Sequence, residues 1–400
     1  MAKPKPTVNA KPALKKDEGA KAVPVKSIIP PAKPQASKPI PVGPLGFAPL
    51  SHHHWTRWTY LTLAAIVIVT LGMTLVVFVH FNRKAATTSE PIATTPVSAE
   101  PKEFAPDLTG GNRFDHGHFY PVAIMIDNAA PARPQSSLQA ASIVYEALVE
   151  GGITRFMAVF DQGEVQEIGP VRSARQYYLE WLAEYEAAYA HAGGSPEALT
   201  NIRRERIHDI NGIGSASTAF FRDSTRPAPH NLYTTGMKMF LTTRANNLKY
   251  SDLTITPWTF GPTVSTGVAA TNVTFYFTGR TKSTEVSYTY DPAKLQWLRS
   301  QAGKEHQDRL TKATIGVTNL VVQRISSKIS VGEKGRLSMT VTGTGKAKLF
   351  QRGQVVDVTW SKPTAEDRTM FTLADGTPAT FLPGNTWIEV LPEDRTLTVK

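Results

Sequence analysis

Tyr145-Glu146-Ala147-Leu148-Val149-Glu150-Gly151-Gly152-Ile153-Thr154-Arg155-Phe156 is the densest part of the segment from Pro121 to Ser195, and its reading decides the fold. Two strand-like runs meet at Gly151-Gly152. Adjacent glycines tolerate the positive φ angles of a two-residue type I′ or II′ turn, so the spacing predicts a tight antiparallel hairpin. A two-residue loop sets Glu150 opposite Ile153, Leu148 opposite Arg155 and Glu146 opposite Met157, and alternation puts all six on one side. Arg155 is then diagonal to both glutamates, at roughly 7–8 Å between backbones, and a Glu-Arg-Glu cluster is expected there. Tyr145, Ala147, Val149, Thr154, Phe156, Ala158 and Phe160 form the expected core face. Two carboxylates four residues apart on a strand are separated by about 13 Å, too far to work alone as a catalytic pair. The cluster reads equally well as an internal ion-pair network and as a ligand site.

Outward from the hairpin, Val122-Ala123-Ile124-Met125-Ile126 is an unbroken apolar run of strand length, which predicts a strand buried on both faces. It ends at Asp127-Asn128, a pair that commonly caps a turn, followed by Arg133-Pro134. After the hairpin, Gly169-Pro170 breaks the chain. Ser173 then opens a predicted helix whose Tyr178, Leu182, Tyr185 and Tyr189 form one stripe. Arg172 and Arg175 stand at its start, where the helix dipole disfavours cations, so either Glu146 and Glu150 supply counter-charge or an anion sits there. His191-Ala192-Gly193-Gly194-Ser195-Pro196 reads as a glycine loop, a Ser195 N-cap and a proline at the first helical position; no Lys-Ser/Thr follows to make a phosphate cradle. Arg222 and the stretch Arg226-Pro227-Ala228-Pro229-His230-Asn231 form a proline-rich loop able to fold over the same surface. His191 and His230 are candidate acid/base groups, with a structural role as the commoner use of isolated histidines.

The net charge of +11 over 400 residues is unevenly spread. Residues 1–57 carry ten Lys/Arg against two Asp/Glu, whereas residues 110–400 carry 31 against 27. The basic character is mostly that of a tail, which argues against a nucleic-acid-binding domain. No cysteine is present, which excludes disulfides, thiolate zinc sites and a lipid-modified cysteine. Residues 1–57 are Lys/Pro/Ala-rich and read as a disordered cytoplasmic tail, with no role assigned to His52-His53-His54. Residues 58–81 contain no Asp, Glu, Lys or Arg and predict one transmembrane helix, an uncleaved signal anchor with its N-terminus in the cytoplasm. Residues 82–113, rich in Thr, Ser and Pro, read as a stalk.

Two globular parts are expected beyond the stalk, at 114–255 and 256–400. From about Asn272 short strands separated by Gly, Asp and Lys turns predict a mainly antiparallel β module. Residues 272–400 carry 18 basic and 12 acidic residues, which fits docking against the acidic first part or contact with an anionic envelope polymer. His306 and Asp308 are further polar candidates there. The expected fold class is α+β: one N-terminal transmembrane helix, then a layered α+β ectodomain with a mainly antiparallel β C-terminal part.

Several blocks, in order, resemble the YerB-like family of bacterial envelope proteins, a domain-of-unknown-function family. They are Asp127-Asn128, Ala132-Arg133-Pro134-Gln135-Ser136, Ile143-Val144-Tyr145-Glu146, Val149-Glu150-Gly151-Gly152-Ile153-Thr154-Arg155-Phe156, Gly169-Pro170-Val171-Arg172-Ser173-Ala174-Arg175, His191-Ala192-Gly193-Gly194-Ser195 and Pro229-His230-Asn231. Tyr290-Asp291 and Gly384-Asn385-Thr386-Trp387-Ile388 resemble its C-terminal part. The resemblance implies a layered α+β fold and an envelope location outside the cytoplasm; it brings no activity, and the missing cysteine departs from the family's lipoprotein pattern. The leading functional expectation is a membrane-anchored, extracytoplasmic module that binds an anionic envelope polymer or peptidoglycan, with no cofactor, no metal and no nucleic acid. Its candidate ligand residues are Asp127, Asn128, Arg133, Glu146, Glu150, Arg155, Arg172, Arg175, His191, Ser195, Arg222, His230 and Asn231. The alternatives are a hydrolase using Asp127, a glutamate and His191 or His230 as acid and base, and a structural partner protein whose polar cluster only holds the fold.

Overall fold

The computed structural model describes residues 108–110, 119–161, 164–214, 216–250, 253–262 and 265–400, together with Met73. The chain divides into two units, Met1–Val97 and Ser98–Lys400, and every element below belongs to the second. In its first half, β1 (Val122–Asp127), β2 (Ile143–Leu148), β3 (Thr154–Phe160), β4 (Ala188–His191) and β5 (Asp209–Asn211) are interleaved with helices α1 (Gln176–Ala183) and α2 (Pro196–Arg204). A short ribbon, β6 (Phe221–Arg222) and β7 (Leu232–Tyr233), precedes α3 (Gly236–Ala245). The second half is nearly all strand. It comprises β8 (Val268–Ala269), β9 (Asn272–Tyr276), β10 (Glu285–Asp291), β11 (Gln296–Gln301), β12 (Lys304–Glu305), β13 (Gly316–Val317) and β14 (Asn319–Ile325), then β15 (Ser330–Val331), β16 (Leu337–Ser338), β17 (Gly343–Gln351), β18 (Gln354–Lys362), β19 (Met370–Thr372), β20 (Thr386–Pro392) and β21 (Leu397–Val399).

The two halves share a sheet. An eleven-stranded sheet runs in the order β19-β18-β17-β14-β20-β2-β3-β1-β4-β5, with β8 added beside β18. β20 is the joint, parallel to β14 on one side and to β2 on the other. The apolar run of β1 sits between β3 and β4 and is buried along its whole length, as expected for a strand covered on both faces. A second sheet, β12-β11-β10-β9-β21 with β13 on β11, lies over one face of the first. Helix α1 lies over the other, where Trp181 stacks on Tyr145 at 5.1 Å.

The hairpin forms with a different register. Glu150–Gly152 make one 3-10 turn, and the Val149 amide donates to the Ile153 carbonyl at 2.8 Å, so the loop has three residues and not two. Leu148 therefore faces Thr154, Ala147 faces Arg155 and Glu146 faces Phe156. A one-residue slip sends every side chain of one strand to the other face relative to its partner. Glu146 and Arg155 thus point to opposite sides of the sheet, and the expected Glu-Arg-Glu cluster does not exist. Both faces of β2 and β3 are buried, so neither is the solvent face that the alternation implied.

Helix α1 also starts late, at Gln176 instead of Ser173, and Tyr189 belongs to β4. Ala174 is bridged to Gly194, its amide bonded to the Gly193 carbonyl, which holds this stretch extended. Tyr178, Leu182 and Tyr185 do form a buried stripe. The Ser195 N-cap of α2 is as expected: its side chain accepts from the Ala198 amide, and Pro196 is the first helical residue.

Among the described residues no helix is long and apolar enough to cross a membrane. The stretch expected to do so, residues 58–81, lies outside the described residues apart from Met73, as do residues 1–57 with His52–His54. The expected fold class is corrected accordingly: the described molecule is a sheet-dominated structure with three helices, built on one sheet common to both halves, with no membrane-crossing helix as its starting element.

Candidate functional site

Asp127 and Asn128 end β1, and their side chains enter two different polar systems. Asn128 turns toward the second sheet. Its amide donates to Glu146 Oε1 at 2.9 Å and to Thr154 Oγ1 at 2.7 Å. Glu146 Oε2 accepts from Arg299 Nη2 of β11, and Arg299 Nη1 reaches His306 Nδ1. A guanidinium can only donate, so His306 Nδ1 accepts and its Nε2–H donates to Gln135 Oε1, 2.7 Å away. Gln135 Nε2 in turn donates to Asn128 Oδ1 at 3.0 Å. The result is a closed ring, Glu146–Arg299–His306–Gln135–Asn128, all buried. Arg133 joins it from outside, with Nε on Asn128 Oδ1 and Nη2 on the Asn128 carbonyl.

The charges of this ring balance internally. Arg299 is fully buried between the rings of Phe156, Tyr288 and Trp387, each 5.4–5.8 Å from its guanidinium carbon. Burial alone would lower its pKa, but Glu146, Tyr288 and Glu389 outweigh that and raise it. Glu389 of β20 is pushed well above the ordinary carboxylate range, by burial first and then by Glu146. Glu146 is the carboxylate that Arg299 hydrogen-bonds, while Glu389 Oε1 lies 3.7 Å from Arg299 Nε. Burial and the neighbouring Arg299 push His306 well below the usual imidazole value, so it is neutral. Of these residues the sequence reading singled out Asn128, Arg133, Glu146 and His306. Arg299 was legible by parity: it stands two residues after the buried Trp297 on one strand, so its charge had to face the core.

Asp127 turns to the opposite side. Its carboxylate is fully buried, and Oδ2 lies 2.8 Å from Arg172 Nε and 2.7 Å from His230 Nδ1. Oδ1 accepts from the Ala129 amide at 3.0 Å, which is the turn-capping role expected of it. Arg155, opposite Asp127 in the β1–β3 register, sends Nη1 to the Ser173 carbonyl at 2.9 Å. Its Nε is buried without a hydrogen bond. Burial first, then the nearby Arg175, lowers the Arg155 pKa. His230 is delivered by the proline-rich loop, which Arg226 pins through the carbonyls of Ala132 and Pro134, each 2.7 Å away. Arg222 Nη1 and Asn231 Oδ1 brace the base of that loop at 2.8 Å.

The other candidates are engaged elsewhere. Arg175 forms a two-pronged pair with Glu150, at 2.6 and 2.8 Å, and its Nη1 donates to the Ala174 carbonyl. Glu150 thus supplies the counter-charge at the start of α1, whereas Glu146 does not. Burial would raise the Glu150 pKa, but Arg175 lowers it overall. His191 bonds Asp209 through Nε2 and the Gly193 carbonyl through Nδ1, both at 2.8 Å. Ser195 is spent on capping α2. His191 and His230 share no partner, so the structure brings only His230 to a buried carboxylate. Asp308 accepts the Ser137, Leu310 and Thr311 amides and holds a loop.

Arg299, Arg175 and Arg172 differ in how far their donors are engaged. Arg299 and Arg175 use all three guanidinium nitrogens on internal acceptors. Arg172 touches Asp127 through Nε, and no described residue hydrogen-bonds to its two terminal nitrogens. His230 likewise uses Nδ1 alone. Their side chains are 23% and 15% exposed, above a carboxylate with no exposure.

Comparison with known proteins places this architecture. Residues 108–251 match the family model described as "Protein of unknown function (DUF3048) N-terminal domain", and residues 273–388 match the corresponding C-terminal domain. A Bacillus subtilis (strain 168) protein named "Putative lipoprotein YerB" is 31% identical over 284 residues, spanning 68% of this chain and 81% of the relative. The crystal structure of YerB protein from Bacillus subtilis superposes with a TM-score of 0.64 at 30% identity, covering 74% of this chain and 99% of that one. Both parts of the family model are present, in order, and they include the hairpin, the Asp127 cluster and the Arg299 ring. The chain belongs to the YerB-like family of proteins of unknown function.

Proposed function

We propose that this protein is an extracytoplasmic, envelope-associated ligand-binding module whose site is the Asp127–Arg172–His230 cluster with Arg155 behind it. The relative's name calls it a lipoprotein, which supports the location. The observation that carries the binding reading is the unspent donor set. Two terminal nitrogens of Arg172 and Nε2 of His230 remain after Asp127 has been served, whereas Arg299 and Arg175 have every guanidinium nitrogen engaged. A buried anion holding both side chains by their inner edges fixes the orientation of their outer ones, and a guanidinium so held suits a carboxylate or phosphate group. Peptidoglycan fragments carry such carboxylates at exposed positions. The arginines that serve this reading are Arg155 and Arg172; Arg133, Arg175 and Arg222 act as internal braces.

Thermal unfolding with and without soluble peptidoglycan fragments tests it, on wild type, Arg172→Ala and Arg175→Ala. A ligand at 100 times its dissociation constant stabilises the native state by about 2.7 kcal/mol. The expected result is a ligand-induced shift in wild type and Arg175→Ala that is lost in Arg172→Ala; equal shifts in all three would remove Arg172 from the site. One observation favours a second, hydrolytic reading. The 2.7 Å contact of His230 Nδ1 with Asp127 leaves Nε2 placed to accept a proton from water. Turnover of the bound fragment that disappears in His230→Gln, with binding retained, would select it.

A further inference from the structure

The groove formed by Arg324, Lys346, Lys348 and Arg395 in the second half lies apart from the Asp127 cluster and has a volume of about 690 Å³, within the usual range for ligand sites. Its placement follows from register. Val322 pairs with Lys348, and Lys348 with Asp357, so these side chains share one face of the large sheet. Arg324, Lys346 and Thr359, two residues along each strand, lie on that face too. It is the face that the second sheet covers, and Leu397 of β21 forms the groove's edge. Ala347 and Val358 line it between the charged positions, and by alternation their side chains point to the other face of the sheet.

Charge there is incompletely balanced. Lys348 pairs with Asp357, and Arg395 lies 3.5 Å from Asp394. Lys346 is exposed, with no described partner. Arg324 has only carbonyls, of Glu393 and Arg395, both on Nη2; burial lowers its pKa more than Glu393 and Asp394 restore it. Where the halves join, Arg309 pairs with Glu167 and Asp223, and Lys362 and Arg368 with Glu184, which takes up part of the surplus of 18 basic over 12 acidic residues in 272–400; the groove cations have no first-half carboxylate among these pairs. Cations set in rows along neighbouring strands of an open groove suit repeated charges on a flexible chain better than one compact anion.

We propose that this groove binds a linear phosphate-ester polyanion, independently of the Asp127 cluster. The test is binding of long-chain inorganic polyphosphate to the full chain at 50 and 200 mM salt (about those values, bracketing the steep range of counterion release). Wild type is compared with Lys346→Gln/Arg395→Gln and with Lys312→Gln/Lys334→Gln, which removes the same charge at exposed positions outside the groove. The groove variant is expected to bind about tenfold or more weakly, with a salt slope lower by about one per lost contact, and the control within about twofold of wild type. Equal weakening in both variants would overturn the proposal, since charge alone would then explain binding. Binding of orthophosphate as tight as that of the polymer would overturn it too, as would equal binding of poly-glutamate lost in the same variant.

Discussion

At the scale of single residues, the buried ring makes Glu389 the most informative titratable group. Its folded pKa is raised by burial and by Glu146 above its ordinary value of 4.5. The stability tied to its proton is fully present below that ordinary value and is lost as pH rises toward and through the raised folded value. Glu389→Gln keeps the shape of the protonated acid and cannot ionise. The variant should therefore gain on wild type as pH increases, with the difference in melting temperature small near pH 4.5 (about the unfolded pKa) and widening toward neutrality. A difference that stays constant with pH, or that narrows, would show that Glu389 is ionised in the folded protein. His306 acts with the opposite sign. Its depressed pKa gives stability that is present above the ordinary imidazole value of 6.5 and lost as pH falls through the lowered one.

At the scale of elements, one residue in the length of a turn decides which polar groups meet. The glycine pair announced the hairpin correctly, but Glu150 joins Gly151 and Gly152 in the loop, and the added residue separates Glu146 from Arg155 across the sheet. Local sequence carries the propensity to turn, while loop length is set by packing on both faces of β2 and β3, which a single strand pair does not display. The late start of α1 has a similar origin in the distant bridge between Ala174 and Gly194. Where the determinants are local, as in the Ser195-Pro196 cap and the apolar run of β1, the sequence was sufficient. The turn itself is testable. Gly151 has φ of 69° and open space where a Cβ would point, so Gly151→Ala should cost about 1 kcal/mol, from backbone conformation alone. Urea midpoints of wild type and variant would measure it; a loss as large as that of a core truncation, about 3 kcal/mol or more, would contradict the open turn.

For the whole molecule, the strand β20 explains why a chain with two family domains has one core: it is hydrogen-bonded to both halves, and Arg299 from the second half is neutralised by Glu146 of the first. That pairing spans 153 residues and was beyond any reading of local spacing. The candidate list drawn from sequence mixed the residues of the ring with those of the Asp127 cluster because Asp127 and Asn128 are adjacent in the chain and diverge in space. In this account Arg299, with every nitrogen engaged, holds the fold, and Arg172, with two unengaged terminal nitrogens, holds a ligand. Arg299→Gln and Arg172→Gln, melted with and without peptidoglycan fragments, test it most directly. Breaking a buried pair leaves an uncompensated charge and costs about 3–5 kcal/mol, so Arg299→Gln should melt far below wild type yet still shift with ligand. Arg172→Gln, whose side chain is partly exposed, should melt near wild type and show no shift. If Arg172→Gln is as destabilised as Arg299→Gln and responds to ligand as wild type does, the Asp127 cluster is structural and the binding function is wrong.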